Sequence, residues 1–396
     1  MFRLALLSYG ILFASPFTWA AEFPTFREQV IDPHCGEVCY AVTLADVDGD
    51  KRQDIVAVTE NRVLWYQAPD WKKRVIIEDQ TTRDNVCIAP LDIDGDGQVD
   101  FALGAGWTKV GTIQWLSRGK SLDDKWNVHF IGEERWLHRM RFADVLGLGK
   151  PQLVISPLNA TQGKGVRLTA FTIPKNPRTD AWPRTVLDGE LNRMHNHWHT
   201  DLNGDQSVDT IAASREGVYW IRRDGKGFQK TKIGEGIQGA DPNSSGAGEV
   251  KTGQLKNGTR FLTTVEPMHG THLVVYLEPK GKKPGQLWER HVLDESLRRG
   301  HALWTADLDG DGSDEIVIGH SDEGPGPVKG PGVYVFDAQS DDGTKWTKHI
   351  LDDGGIATED AVAADLTGDG RVDIVAGGRA THNIKLYINE GPQGAK

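Results

Sequence analysis

The sequence predicts an all-β protein, a seven-bladed β-propeller of four-stranded blades, and three observations carry that prediction. An Asp-rich cassette, D-x-D-G-D-x-x-x-D or E, recurs between short apolar strands, with its first residue at Asp46, Asp92, Asp201, Asp307 and Asp365. Two degenerate copies, Asp144-Val-Leu-Gly147 and Gly253-Gln-Leu-Lys-Asn-Gly258, fill the gaps, so seven units follow one another at spacings of 46 to 58 residues. Repetition at that period means stacked supersecondary units rather than independent domains. Finally, Phe26-Arg-Glu-Gln-Val-Ile-Asp32 has the pattern of a blade's outer strand but lies ahead of the first unit.

Taken in chain order, residues 1–20 are set aside. Arg3 gives a basic start, Leu4 to Phe13 is apolar but too short to span a bilayer, and Thr18-Trp-Ala20 before Ala21 is a small-residue cleavage site. A secreted or periplasmic protein is expected, with no membrane span after cleavage and residues 21–396 forming a single propeller. Each unit then opens with a strand that runs into the Asp loop. A β-branched second strand follows, such as Asp54-Ile-Val-Ala-Val58, then a third such as Arg62-Val-Leu-Trp-Tyr66. A fourth begins with an aromatic and alternates, as in Trp126-Asn-Val-His-Phe-Ile131 and Trp346-Thr-Lys-His-Ile-Leu351. Alternation with period two between Gly-, Asp- and Pro-rich turns is the strand signature. Six fourth strands follow their units, so Phe26–Asp32 is expected to complete the seventh blade and leave no open sheet edge.

The formal charge of -11 is mostly ligand. The five full loops hold eighteen carboxylates, and five divalent ions would offset ten charges. Nothing in the charge supports nucleic-acid binding. Cys35, Cys39 and Cys87 make an odd count for an oxidising compartment, and either Cys35–Cys39 or Cys39–Cys87 can be drawn as a bridge.

Carboxylates at alternate positions, a Gly for the sharp turn and a ninth-position acid make a hard oxygen cage that favours structural Ca²⁺. The expected ligands are Asp46, Asp48, Asp50 and Asp54, then Asp92, Asp94, Asp96 and Asp100, and Asp201, Asn203, Asp205 and Asp209. Asp307, Asp309, Asp311 and Glu315, and Asp365, Asp369 and Asp373, complete up to five sites. Asn203 and Thr367 each replace one acid, so those two loops should bind more weakly, and units three and five should bind nothing.

If the Asp loops lie at the bottom, the opposite face carries the chemistry. Counting back six residues from each cassette gives Tyr40, Val86, His138, His195, His301 and Glu359, with the fifth unit falling near Gly248 and Glu249. Histidines and a carboxylate at one offset in different blades converge on the mouth of the axial channel. His197 and His199 continue from His195 at period two and so should share its strand face. The loops after the second strands add Glu266, His269, His272, His320, Arg379 and His382. His129, His291 and His349 repeat on the outer strands and read as surface or packing residues. Neutral imidazoles with a carboxylate suit Zn²⁺ or another divalent transition ion, with His197, His301 and Glu359 as ligands and His138 or His195 as base. Arg141 and Tyr40 would assist, Trp107 could floor a sugar ring, and Arg139 should point away from His138. There is no G-x-S-x-G elbow, and Gly234-Glu-Gly-Ile-Gln-Gly239 lacks the helix that a dinucleotide fingerprint needs.

The D-x-D-G-D loops, followed by strands such as Asp373-Ile-Val-Ala-Gly-Gly378, resemble the FG-GAP or VCBS-repeat propellers of integrin type. His138-Arg-Met-Arg-Phe-Ala-Asp144 and Gly300-His-Ala-Leu-Trp-Thr-Ala-Asp307 look like the propeller domain of aldos-2-ulose dehydratase and, more loosely, of propeller polysaccharide lyases. That resemblance implies a metal-assisted β-elimination on a keto-sugar or uronate. The alternative is a non-catalytic propeller holding a glycan or a protein partner on its top face.

Overall fold

β-Branched and aromatic residues at alternate positions pack well on a pleated surface, and among the described residues they build twenty-eight strands in seven four-stranded antiparallel sheets. The computed structural model describes residues 22–225, 227–239, 241–281, 283, 285–323 and 330–392. The leader expected over residues 1–20 lies outside the described residues. No helix among them is long and apolar enough to cross a membrane. The innermost strands of blades 1 to 7 are Cys39–Ala45, Cys87–Leu91, Leu137–Ala143, Asn196–Thr200, Val250–Gln254, Gly300–Ala306 and Thr358–Ala364. Each gap between neighbouring blades has its own apolar filling, such as Val56 and Trp65 of blade 1 against Phe101, Leu103 and Trp126 of blade 2.

Blade 7 is closed by the N-terminal strand Phe26–Asp32, paired antiparallel to Ile384–Asn389 from Phe26 opposite Asn389 to Asp32 opposite Ile384. The seam is then latched sideways. Buried Asp32 accepts from Tyr66 Oη at 2.6 Å and pairs with Lys73 Nζ at 2.6 Å, both on blade 1. The same latch recurs as Asp188 with Lys230, Asp294 with Lys348, and Asp352 with Lys385 and Tyr387, always from an outer strand to the next blade.

At the bottom of the ring the ninth cassette residue binds backbone. Val47 N donates to Asp54 Oδ2 (2.9 Å), Ile93 N to Asp100 Oδ2 (3.0 Å), Leu202 N to Asp209 Oδ2 (3.1 Å), Leu308 N to Glu315 Oε2 (2.6 Å) and Leu366 N to Asp373 Oδ2 (3.0 Å). In blade 3 the amide of Gln152 does the same for Leu146 N at 2.8 Å. A neutral oxygen therefore suffices, and this position staples the turn whatever its charge. Burial pushes the Asp100 carboxyl up to about 7, consistent with a group that need not be ionised. Asp100→Asn should consequently leave stability nearly unchanged. Asp100→Ala should cost roughly 1–3 kcal/mol by orphaning a buried amide, as measured by denaturant unfolding.

Cys35, Cys39 and Cys87 are buried free thiols. Cys35 and Cys39 share one inter-blade gap, and the Cys35 thiol beside it pushes the Cys39 thiol well up; Cys87 lies in another gap.

Candidate active site at the mouth of the axial channel

The innermost strands do not begin regularly. Their pairing with the second strand slips between Cys39 and Ala41, Leu137 and Arg139, Gly300 and Leu303, and Thr358 and Asp360. The residues left over are Tyr40, His138, His301 with Ala302, and Glu359. Each is a β-bulge at the top of the ring, and a bulge re-aims side chains that the pleat would otherwise alternate.

The result is a cluster in the channel mouth. A ring nitrogen from each of His138, His195 and His301 lies within 4.8 Å of the others, and all three residues are buried. The ring centroids of His138 and His195 are 4.4 Å apart, and those of His195 and His301 are 4.8 Å apart. His269 joins from blade 5, with its Nε2 2.8 Å from His195 Nε2 and its ring stacked 4.7 Å from His301. On the other side of His195, Nδ1 lies 2.9 Å from Glu249 Oε1, off the line of a straight hydrogen bond. Arg139 Nη2 donates to Glu249 Oε1 at 3.2 Å and lies 3.4 Å from His301 Nδ1. Glu359 Oε1 accepts from Arg379 Nη1 at 2.6 Å and is 3.5 Å from His301 Nε2. Tyr40, Trp107, His138, Arg139, Glu359 and Arg379 face one small cleft at the surface, in which Trp107 stacks 5.9 Å from His138.

Both ring nitrogens of His138, Nε2 of His301 and Oε2 of Glu359 are buried without a partner. Leaving such groups unsatisfied costs about 1–3 kcal/mol each, and here they converge on one cleft. Burial is the main cause that holds His138 and His301 well below the ordinary imidazole range, with neighbouring rings and Arg139 adding to it. Neutral nitrogens are the form that takes a metal ion. At Glu249 burial opposes ionisation, but the Arg139 guanidinium and the His195 ring outweigh it and hold the carboxyl well below its usual range. At Glu359 burial wins, and the carboxyl is pushed up.

Deeper on the axis, a cavity of about 260 Å³ is lined by Arg139, Arg141, Lys251, Trp198, Trp304 and Asp360 among others. Arg141 Nη1 donates to Asn196 Oδ1 at 2.8 Å, and Lys251 Nζ sits over the Trp198 ring at 4.3 Å. Burial, with Arg141 nearby, brings the Lys251 amine down to about 7.

The structure thus gathers His138, His195, His301, Glu359 and Tyr40 at the mouth and sets Arg141 one layer below. It places His197 elsewhere. Its Nδ1 contacts Ser156 Oγ at 3.0 Å, its ring packs 5.1 Å from His199, and His199 in turn meets Thr210. The three histidines do not share a face, because the strand begins at Asn196 and His195 precedes it, free of the pleat. Asn196 and Trp198 are the channel side of that strand. Arg139 is also corrected: the bulge at His138 turns it into the channel beside its neighbour instead of away from it. Glu249, His269 and Lys251 complete the site. Of the remaining loop residues, Arg379 reaches the mouth, Glu266 is locked by Arg290 and Tyr276, His320 packs on Tyr334, His272 lies near Thr271 and Glu295, and His382 lies by His34.

At the opposite end, three loops bring carboxylate oxygens within 4.8 Å of one another: Asp46, Asp48 and Asp50; Asp92, Asp94 and Asp96; and Asp307, Asp309 and Asp311. The loops with Asn203 and Thr367 form no such group among the described residues.

Six histidines, His138, His195, His197 and His301, which are buried, and His199 and His269, which are half-buried, are all held below the ordinary range, mainly by desolvation. The unfolded chain takes up protons below about pH 6.5 that these rings refuse, so each subtracts roughly 1.4 kcal/mol of stability per pH unit as pH falls. Asp54 and Asp100, raised to about 6 and about 7 mainly by burial, act with the opposite sign across pH 4 to 7. Overall stability is therefore a blunt readout. Nitrogen-15 spectra of the imidazoles are a direct one, and these six should keep neutral shifts from pH 8 to pH 5.

Comparison with known proteins agrees with this fold. Residues 110–279 match the family described as the β-propeller domain of aldos-2-ulose dehydratase, and residues 27–103 and 307–376 match the FG-GAP-like repeat. Aldos-2-ulose dehydratase of Phanerodontia chrysosporium is 28% identical over 251 residues, which cover 58% of this chain and 28% of that protein, so the chain spans little more than a quarter of that relative's length. Two crystal structures of BBS1N in complex with ARL6DN, one soaked with mercury and one with lead, share the fold. Both have a TM-score of 0.56 at 11% identity; they cover 95% of this chain, and 98% and 99% of the matched chains. The chain is accordingly a seven-bladed β-propeller that matches the FG-GAP-like repeat over residues 27–103 and 307–376 and whose central blades are similar to the propeller domain of aldos-2-ulose dehydratase.

Proposed function

We propose that this propeller is a metal-assisted carbohydrate dehydratase or lyase that carries out β-elimination on a keto-sugar or uronate at the channel mouth. The observation that carries the reading is the convergence of buried, neutral and unpartnered histidine nitrogens beside a buried carboxylate. His138, His195 and His301 fit a transition ion such as Zn²⁺, which would supply Lewis acidity toward the substrate carbonyl. Glu249 orients His195 through Nδ1, as an outer-shell partner of a ligating His does, which leaves Nε2, 2.8 Å from His269 Nε2, as the nitrogen that would face the ion.

The remaining groups suit the proton transfers. Glu359 has a raised pKa and a free Oε2 at the cleft, as a general base for the carbon-bound proton requires. Tyr40, pushed up to about 12 chiefly by burial, keeps its proton and can donate to the departing oxygen. Arg139 and Arg379 favour negative charge developing on the substrate. Trp107 offers an apolar face for a sugar ring.

Ca²⁺ in the Asp loops of blades 1, 2 and 6 and export to a secreted or periplasmic location belong to the same reading. The test is elemental analysis of the purified protein, followed by incubation with oxidised sugars and uronates while ultraviolet absorbance follows unsaturated products. Calcium alone, with no product from either class, would leave a glycan-binding ring in place of an enzyme.

A further inference from the structure

Blade 6 adds to two cassette acids a third, Asp337, that the cassette does not explain. Asp309 comes from the loop, Glu315 from the start of the second strand and Asp337 from the third, and a carboxylate oxygen of each lies within 4.8 Å of the others. Glu315 is fully buried, and its Oε1 has no partner. In blades 1 and 7 the corresponding acid is one methylene shorter, and its second oxygen takes an amide at the end of the third strand. Ala68 N donates to Asp54 Oδ1 and Asn389 N to Asp373 Oδ1, both at 2.8 Å. Glu315 is left with an orphan oxygen among two further carboxylates.

Other blades solve the same electrostatic problem with a guanidinium. In blade 1, Gln67 donates to Asp48, and Arg74 clamps Gln67 Oε1 at 3.1 and 3.0 Å. In blade 2, Arg178 reaches across from blade 3 to Asp94, with Ser117 Oγ at 3.3 Å and His129 Nε2 at 3.5 Å. Position for position, Gln67 and Ser117 correspond to Asp337, while Arg74 and His129 correspond to His349. Blade 6 thus adds an acid where its counterparts have a neutral group. It also cannot receive an arginine in the manner of Arg178, which lies on the loop between the third and fourth strands of the next blade. The blade after blade 6 is the seam, where that loop is replaced by the two chain ends. Phe23 occupies the place, with its ring stacked 3.7 Å from His349. Lys256 lies 3.8 Å from Asp311 and 3.4 Å from Asp341 rather than on the trio, and Gln339 gives Asp337 one hydrogen bond at 2.7 Å. A cavity of about 270 Å³ opens between Phe23, Lys256, Asp309, Asp337 and His349.

We propose that blade 6 binds a divalent cation between Asp309, Glu315 and Asp337, beside His349, in the position that guanidinium groups fill in blades 1 and 2. The unpartnered Nε2 of His349, 3.8 Å from Asp337 Oδ2, adds an imidazole to the three carboxylates, a donor set that suits Mn²⁺ or Zn²⁺. This site is separate from the channel mouth and stands whether or not the protein is an enzyme.

The test is a titration of the chelated full-length protein with Mn²⁺, counting bound ions by electron paramagnetic resonance, together with anomalous scattering from Mn²⁺-soaked crystals. An anomalous peak is expected between Glu315 and Asp337. Asp337→Asn and His349→Arg should each bind one Mn²⁺ fewer than wild type, whereas Asp307→Asn should retain this ion. In chelator, Asp337→Asn should melt above wild type because a like charge is gone, and it should gain less from added Mn²⁺. An unchanged ion count in Asp337→Asn, or a blade 6 peak confined to the Asp307, Asp309 and Asp311 loop, overturns the assignment. Where a variant fails to fold, the wild-type anomalous map decides.

Discussion

His301→Ala is expected to lose the channel-mouth ion and to lower turnover of any eliminated sugar by roughly 10²–10³-fold, while leaving thermal stability measured in chelator unchanged or slightly raised. The asymmetry follows from what His301 touches. Its Nε2 has no hydrogen-bond partner, and its Nδ1 is 3.4 Å from an Arg139 nitrogen that already has Glu249 as an acceptor. Removing the ring therefore breaks no strong internal bond and relieves the burial of an unsatisfied nitrogen. Loss of a direct ligand should weaken metal affinity by more than the ~10–100-fold typical of outer-shell changes. Elemental analysis, melting temperature and product absorbance on one preparation separate the cases. Unchanged metal content and activity would sink the ion assignment, and a collapse in stability would show that the ring is packing.

The second large effect is at the seam. A chain beginning at residue 33 should lose cooperative unfolding and aggregate, a deficit of more than about 5 kcal/mol and comparable with the whole net stability of a typical domain. Deletion exposes the backbone edge of Ile384–Asn389 and removes the pairing from Phe26 to Asp32. It also strips Tyr66 and Lys73 of their shared acceptor. Asp32→Ala alone should cost about 1–3 kcal/mol, because the buried Tyr66 hydroxyl loses its acceptor while the partly exposed Lys73 turns to water. A synthetic peptide spanning residues 22–34 should restore a sharp transition to the truncated chain by strand addition. A truncated protein that melts like wild type without peptide would show that the other sheets hold the ring unaided.

What the sequence made legible was everything governed by repetition. The cassette set the blade count, the outer-strand pattern of Phe26–Asp32 identified the closing strand, and a fixed offset from each first Asp found Tyr40, His138, His195, His301 and Glu359. What it hid depends on local departures from the repeat. Arg139 enters the channel only because of a bulge, which simple alternation cannot anticipate. His197 leaves it because the strand starts one residue after His195. Glu249 sits in the blade whose cassette has lost its acids, so the ruler blurs there and points only to the neighbourhood of Gly248 and Glu249. His269 arrives from a loop at φ 54°, a left-handed position that no strand period encodes. The ninth-position acids show a further ambiguity, since a backbone staple and a cation ligand ask for the same residue type.

The closing strand has a last consequence, which concerns time. Among the strands of the ring, the one that opens with Phe26 is made first, and the one that ends with its partner Asn389 is made last. Six blades can form from local hairpins as the chain emerges, but the seventh must wait for a contact across nearly the whole chain. Until then both edges of the growing arc stay open to intermolecular pairing, the kind of exposure that makes long-range β closure slow and prone to misassembly.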